Sequence, residues 1–175
     1  MFTASAEEYW YYESFVQPTL ESSFLVRGHL YLRKDNTTRY HVYSMRLVSA
    51  LSSIGIPIGK RTDASIPRSV LELGLVVPFI RGVYHAEGSL YRRYSKAYDR
   101  HARVYSNLLV IQIRMKLRTL MNQIQEELIG LGISTNRLTE KDGVYTLRIT
   151  SQTEIARFLE VVRPRYKSRL PPARF

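Results

Sequence analysis

The sequence predicts an α+β fold built from two related halves, on three observations. Segments beginning at Gly28 and Gly88 agree at four of six positions, pairing Leu30 with Leu90, Tyr31 with Tyr91 and Arg33 with Arg93. Two apolar stretches, 51–56 and 128–133, follow in the same order and close on Gly55 and Gly132, as helices with a left-handed C-cap do. Around these marks, runs with helical spacing alternate with runs of period two.

The second half is the fuller copy. An apolar helix is expected over 76–86, with Pro78 near its start where a missing N–H does no harm. Strands follow at 90–94 and 108–116, the latter alternating through Val110, Ile111, Gln112, Ile113 and Arg114, with a long polar connection, 95–107, between them. Leu120, Met121, Ile124, Leu128 and Leu131 then share one helical face over 117–131. A hairpin is expected from 137–139 and 144–149 around Lys141, Asp142 and Gly143. Ser151 caps a last helix, 154–162, which stops before Pro164. The order is αββαββα. In the first half, Pro18 suits the first turn of a helix running to Val26, strands at 29–34 and 39–43 pair around 35–38, and Ser44 caps a short helix over 45–54. An extended stretch at 57–62 follows, and the second hairpin is missing or merged into 63–66. The organisation expected is an aromatic segment, 1–16, packed on the core, a shortened first repeat, 17–75, a second repeat, 76–164, and a basic tail, 165–175.

Composition narrows the function. Lys and Arg number 26 against 15 acids, a formal net charge of +11. Such an excess on a small domain attracts polyanions, most commonly nucleic acid. There is no cysteine, which excludes disulfides, thiolate catalysis and Cys-type zinc sites. His85 and His101 have no partner at metal-ligand spacing, and no glycine-rich loop follows a strand, so zinc chemistry and nucleotide hydrolysis lack support. No apolar run reaches the roughly 18–20 residues that span a bilayer, and the first basic residue comes after Glu7 and Glu8, so a cytoplasmic protein without membrane contact is expected, nucleoid-associated if prokaryotic.

The stretch 79–90 combines an apolar helix, small residues at Gly82 and Ala86, an acid at Glu87, and Gly88 leading into a strand. It resembles the LAGLIDADG motif, and 55–68, with Gly55, Pro57, Gly59, Lys60 and Pro67, resembles the lead-in to the second motif of archaeal intron and intein endonucleases. The resemblance covers roughly 17–165. It implies two repeats about a pseudo-twofold axis, their motif helices packed nearly backbone to backbone through Gly82 and Ala86 on one side and Ser22 and Ser23 on the other. It implies a DNA-binding β-saddle laid in the major groove, and a site-specific, intron-encoded-type homing endonuclease. Mg²⁺ (or Mn²⁺) would sit on Glu87 and the Ala86 backbone at the end of the helix, with Lys60, or Arg148, as a basic residue near the metal. The partner implied is double-stranded DNA with a long, pseudo-palindromic site, met by a pseudo-symmetric monomer or by a homodimer.

The first motif is degenerate, and two registers stand open. Aligning Gly28 with Gly88 puts Arg27, which cannot ligate a cation, opposite Glu87. Aligning Glu21 with Glu87 restores an acid as a catalytic and metal-binding residue, but leaves Pro18 inside the helix, a costly place. On the expected saddle, Arg33, Lys34, Arg39 and His41 in the first half, and Arg92, Arg93, Lys96, Arg100, Arg103, Gln112, Arg114 and Lys116 in the second, are the candidate DNA contacts. Arg reads guanine in bidentate fashion, Gln112 and Asn107 are suited to adenine, and the remaining charges neutralise phosphate. A degenerate LAGLIDADG protein that binds DNA or RNA, or nicks one strand, is the alternative. In the run Tyr9 to Tyr12, with Phe15, helical spacing puts Trp10 and Glu13, or Tyr11 and Phe15, on shared faces, and packing against the core is expected rather than stacking on bases.

Overall fold

In the computed structural model, residues 1–56, 64–94 and 104–165 are described, and the chain divides into two compact units, Met1–Gly59 and Lys60–Phe175. The first unit opens on a strand, β1 (Phe2–Ser5), which periodicity had not revealed. A 3₁₀ turn (Ala6–Glu8), a short helix α1 (Tyr9–Tyr11), a π turn (Tyr12–Val16) and helix α2 (Gln17–Phe24) then run on without a break. Ser5 N–H donates to Glu8 Oε2 at 3.0 Å, closing the start of this run. Strands β2 (Gly28–Leu32) and β3 (Thr37–Val42) form a hairpin, and helix α3 (Met45–Ser53) follows. The sheet order is β1-β3-β2, all antiparallel. Its buried side carries Thr38 and Tyr40, both 0% exposed, and the Thr38 hydroxyl donates to the Ser5 carbonyl at 2.9 Å. Tyr11 is buried and stacks on Phe15 at 5.5 Å as expected, whereas Trp10 is 53% exposed.

Pro18 lies in the first turn of α2, inside a continuous helical run. The π turn before it supplies the reason. Widening the ladder there, with Gln17 N–H donating to the Tyr12 carbonyl, makes room for a residue that has no N–H and a bulky ring.

The second unit contains α4 (Arg68–Glu72), α5 (Val76–Glu87), β4 (Gly88–Tyr94), β5 (Val104–Met115), α6 (Arg118–Gly130), β6 (Thr139–Lys141), β7 (Val144–Ile149) and α7 (Gln152–Val162). From α5 onward the order is αββαββα, in an antiparallel sheet β4-β5-β7-β6. Ile80 and Tyr84 of α5, Met121, Ile124 and Leu128 of α6, and Ile155 and Phe158 of α7 pack on Leu90, Ile111, Ile113, Leu147 and Ile149 of the sheet. Tyr84 and Phe158 meet edge to face at 5.2 Å between ring centres. All three helices thus cover one face.

The duplicated glycine signals have a shared geometry. After α3, Gly55 (φ 92°) donates to Ser52 and Ile56 donates to Leu51; after α6, Gly132 (φ 75°) donates to Ile129 and Ile133 donates to Leu128. Both are the paired C-terminal bonds that a left-handed residue makes possible. Ser44 and Ser151 cap α3 and α7, accepting from Leu47 N–H and Glu154 N–H. Asp142 and Gly143 both take positive φ, 53° and 71°, as a two-residue hairpin turn requires, and the strand before them runs Thr139–Lys141, two residues later than expected. Strand β5 likewise begins at Val104, inside the stretch expected to be a polar connection. Residues 64–67 form no strand; Ile66 is buried in the second unit's core, its N–H donating to Gln123 Oε1 at 2.7 Å. The stretch 57–62, most of the 95–107 connection and nearly all of the basic tail lie outside the described residues. No helix among the described residues is long and apolar enough to cross a membrane.

Candidate metal site and nucleic-acid interface

Helix α5 runs to Glu87 and passes directly into β4, with Gly88 extended at φ −91°, ψ 161°. A side chain at Gly88 would collide with the Tyr84 ring and backbone, so glycine is what lets the strand leave the helix at once. Glu87 is therefore delivered at the very end of the helix, exposed, with no hydrogen bond or ion pair to a described residue. Ala86 and Gly82 are exposed one turn apart on the same helix, and among the described residues nothing lies within 4 Å of the Gly82 Cβ position. The Ala86 carbonyl lies in the last helical turn, where carbonyls have no intrahelical donor.

The segment expected to be the first motif is built differently. Helix α2 stops at Phe24, Leu25 turns left-handed at φ 50°, and Val26 and Arg27 intervene before Gly28. Arg27 thus belongs to an irregular link rather than to a helix end, and Glu21 sits one turn inside the helix. Glu21 Oε1 accepts from Gly28 N–H at 2.9 Å, from Gln17 Nε2 at 3.0 Å and, more distantly, from the Tyr40 hydroxyl at 3.4 Å. The Gly28 amide above all, and then Gln17, hold its carboxyl below the usual carboxylate range. Tyr40 also fills the space a side chain at Gly28 would need. Glycine before the strand is thus required in both units, against Tyr84 in one and Tyr40 in the other. Ser22 is exposed and its hydroxyl donates back to the Pro18 carbonyl at 2.7 Å; Ser23 is exposed as well. Among the described residues no three His, Asp or Glu side chains gather as a metal site.

The candidate DNA contacts divide by strand alternation. In the first sheet, Arg39 and His41 stand on the side opposite Thr38 and Tyr40. Cross-strand pairing sets Tyr31 against Arg39 and His29 against His41. His41 lies 3.3 Å from the hydroxyls of both Tyr31 and Tyr43. Arg33 and Lys34 are in the exposed turn after β2, and Arg33 faces Asp35 at 3.5 Å. In the second sheet, Gln112 and Arg114 point away from the helices, and Lys116 is exposed just past the strand. Arg92 departs from its expected grouping with Arg93. Neighbours in a strand face opposite ways, and Arg92 shares the helix side with Leu90, its Nε buried without a partner among the described residues. Arg39 Nε is likewise buried without a partner among the described residues, though on the outward side. Lys60, Lys96, Arg100, His101 and Arg103, and the side chains of Arg93 and Asn107, lie outside the described residues.

Two outward residues were not among the expected DNA contacts, although Arg148 was expected as a basic residue near the metal. Tyr91 and Arg148 flank Gln112, whose Oε1 accepts from the Tyr91 hydroxyl at 3.3 Å and from Arg148 Nε at 3.0 Å. Alternation within 144–149 was a signal for an outward Arg148. The pairing of Gln112 with Arg148 was not, because it joins residues far apart in the chain.

Comparison with known proteins locates this arrangement. A model of the LAGLIDADG-like domain matches residues 75–163, more than half of the chain. No curated protein sequence matches. Among solved structures, the homing endonuclease I-DmoI in complex with DNA and Mn shares 18% identity at a TM-score of 0.58, over 96% of this chain and 80% of that one. Mesophilic variants of I-DmoI reach 19% identity and 0.59, over 92% and 77%. The N-terminal LAGLIDADG domain of DUF199/WhiA reaches 14% and 0.54, over 86% and 67%. At these identities the likenesses show a shared fold; with the sequence model, they establish that this chain belongs to the LAGLIDADG family.

Proposed function

We propose that the chain is a site-specific, divalent-metal-dependent endonuclease acting on double-stranded DNA, with Glu87 as its metal-binding catalytic carboxylate. The observation that carries this is the delivery of an exposed, uncommitted Glu87 to the last position of α5, beside the open strip of Gly82 and Ala86. One such carboxylate suits Mg²⁺ or Mn²⁺, which keeps several waters and completes its shell with substrate phosphate. Glu87 and the Ala86 carbonyl would hold the ion, which supplies Lewis-acid stabilisation of a leaving oxygen or an activated water. Solved I-DmoI complexes with DNA and Mn, and with DNA and Ca, are consistent with this chemistry. Lys60 is the basic residue proposed beside the phosphate. The outward sheet faces would lie along the major groove of a long, pseudo-palindromic duplex site, read by a pseudo-symmetric monomer made of the repeats 17–75 and 76–164.

A second reading rests on Glu21. Its Oε1 is committed to the helix–strand junction of the first unit, and only Oε2 is left for a cation. A nickase, or a recognition protein without cleavage, follows if Glu21 is structural; WhiA shows that the fold also occurs outside proteins named as endonucleases.

The test is a supercoiled plasmid library enriched for sequences the protein binds, incubated with and without Mg²⁺. Linear product that disappears in Glu87→Gln, while binding persists, supports the endonuclease with two working centres. Nicked circles alone mean that Glu87 acts by itself. Tight, salt-sensitive binding with no cutting under either condition leaves the recognition protein.

A further inference from the structure

Outward from the second sheet, Tyr91, Gln112 and Arg148 form a hydrogen-bonded row across three strands, β4, β5 and β7. Gln112 and Arg148 are direct cross-strand partners, and Tyr91 lies diagonal to Gln112, opposite Val110. Arginine has only donors, so its bond fixes the Gln112 amide with Oε1 towards Arg148. That oxygen then accepts from both neighbours. Reading adenine in bidentate fashion needs the glutamine oxygen free for the base N6 amino group. Here it is taken, so Gln112 is better placed to hold Arg148 than to read a base.

The effect on Arg148 is specific. Its Nε is satisfied within the sheet, which leaves the two terminal amino groups, with no bond to a described residue, as a fork on an exposed side chain. A fork of that shape matches the O6 and N7 acceptors on the major-groove edge of guanine. Tethering at Nε removes much of the rotamer freedom that binding would otherwise have to restrict. Arg114, on the same face one pair along and opposite Thr146, has no such tether among the described residues.

We propose that Arg148 reads one guanine of the target duplex and that Gln112, held by Tyr91, is its positioning residue. This rests on the DNA-binding reading above. It gives Arg148 a role in base recognition rather than beside the metal.

The test uses the full chain and a randomised double-stranded DNA library, followed by single-base-pair substitutions in the best duplex. Wild type should show one guanine whose replacement by adenine weakens binding between about fivefold and about 150-fold, the range of a good bidentate pair. Arg148→Lys keeps the charge but not the fork, so it should bind with an unchanged salt slope and lose discrimination at that pair alone. Gln112→Leu should reduce the same preference at an unchanged salt slope, which a merely structural role would not do. Arg148→Ala should erase it. Wild type binding no duplex overturns both the proposal and the DNA-binding reading. Duplex binding in which Arg148→Lys keeps every base preference overturns the proposal alone, as does an undiminished guanine preference in Gln112→Leu.

Discussion

Replacing Glu21 separates a structural from a metal-binding carboxylate in the first unit. Its Oε1 holds the Gly28 amide at 2.9 Å and the Gln17 amide at 3.0 Å, with the Tyr40 hydroxyl further off at 3.4 Å. Hydrogen bonds to a charged group are each worth about 1.5–3 kcal/mol, but solvent reaches this half-buried site and screens them. Glu21→Ala should therefore cost about 1 kcal/mol, and Glu21→Gln, which keeps an acceptor oxygen, less than about half of that. The chain has one tryptophan, Trp10, and it lies in the first unit, so its fluorescence during urea unfolding reports this unit. With m near 1 kcal/mol/M for so small a unit, the Glu21→Ala midpoint should fall by about 1 M urea. The pH dependence has a definite sign. The folded-state pKa of Glu21 is depressed, so its stabilisation is present above the unfolded value, near 4.5, and fades as pH falls through the lower folded value. The gap between wild type and Glu21→Ala should narrow over that acidic window. A midpoint unmoved in Glu21→Ala, or shifted equally in Glu21→Gln, would refute the structural role. Cleavage adds the second axis: double-strand cutting retained by Glu21→Gln removes Glu21 from the metal site.

Three further expectations follow from the second unit. Phe158→Ala, at a side chain 0% exposed and packed on Tyr84, should destabilise the unit by about 3–5 kcal/mol, visible as a lowered thermal midpoint by far-UV circular dichroism. Gly88→Ala forces a methyl group into Tyr84 and should cost about 1–3 kcal/mol in the same assay. Arg114→Ala should weaken duplex binding evenly across sequences and reduce the slope of log affinity against log salt by about 1, measured by fluorescence anisotropy across a salt series.

Local rules made a large part of the fold legible. Gly55 and Gly132 marked helix ends because only a left-handed residue allows the paired C-terminal bonds they make. Ser44, Ser151 and the Asp142-Gly143 turn announced their positions through bonds spanning a few residues. Strand β1 was hidden, since four residues carry little periodicity and its partner β3 lies more than thirty residues away. Pro18 pointed to a helix start and does stand in the first turn of α2; what stayed hidden is the π turn before it, which no single residue signals and which makes that turn part of a longer helical run.

The candidate site divides along the same line. By itself the sequence determined that an acid stands directly before a glycine at the end of an apolar, helically spaced run, that the segments beginning at Gly28 and Gly88 resemble each other, and that the chain carries a strong positive charge. These are properties of residue type and short spacing. Only the tertiary structure decided that the first helix stops at Phe24, leaving Glu21 bonded to Gly28, that Arg92 turns towards the helices, and that Arg148 lies beside Gln112. Each depends on register between strands or on a helix end set by packing, and such register is selected by burying a whole face at once.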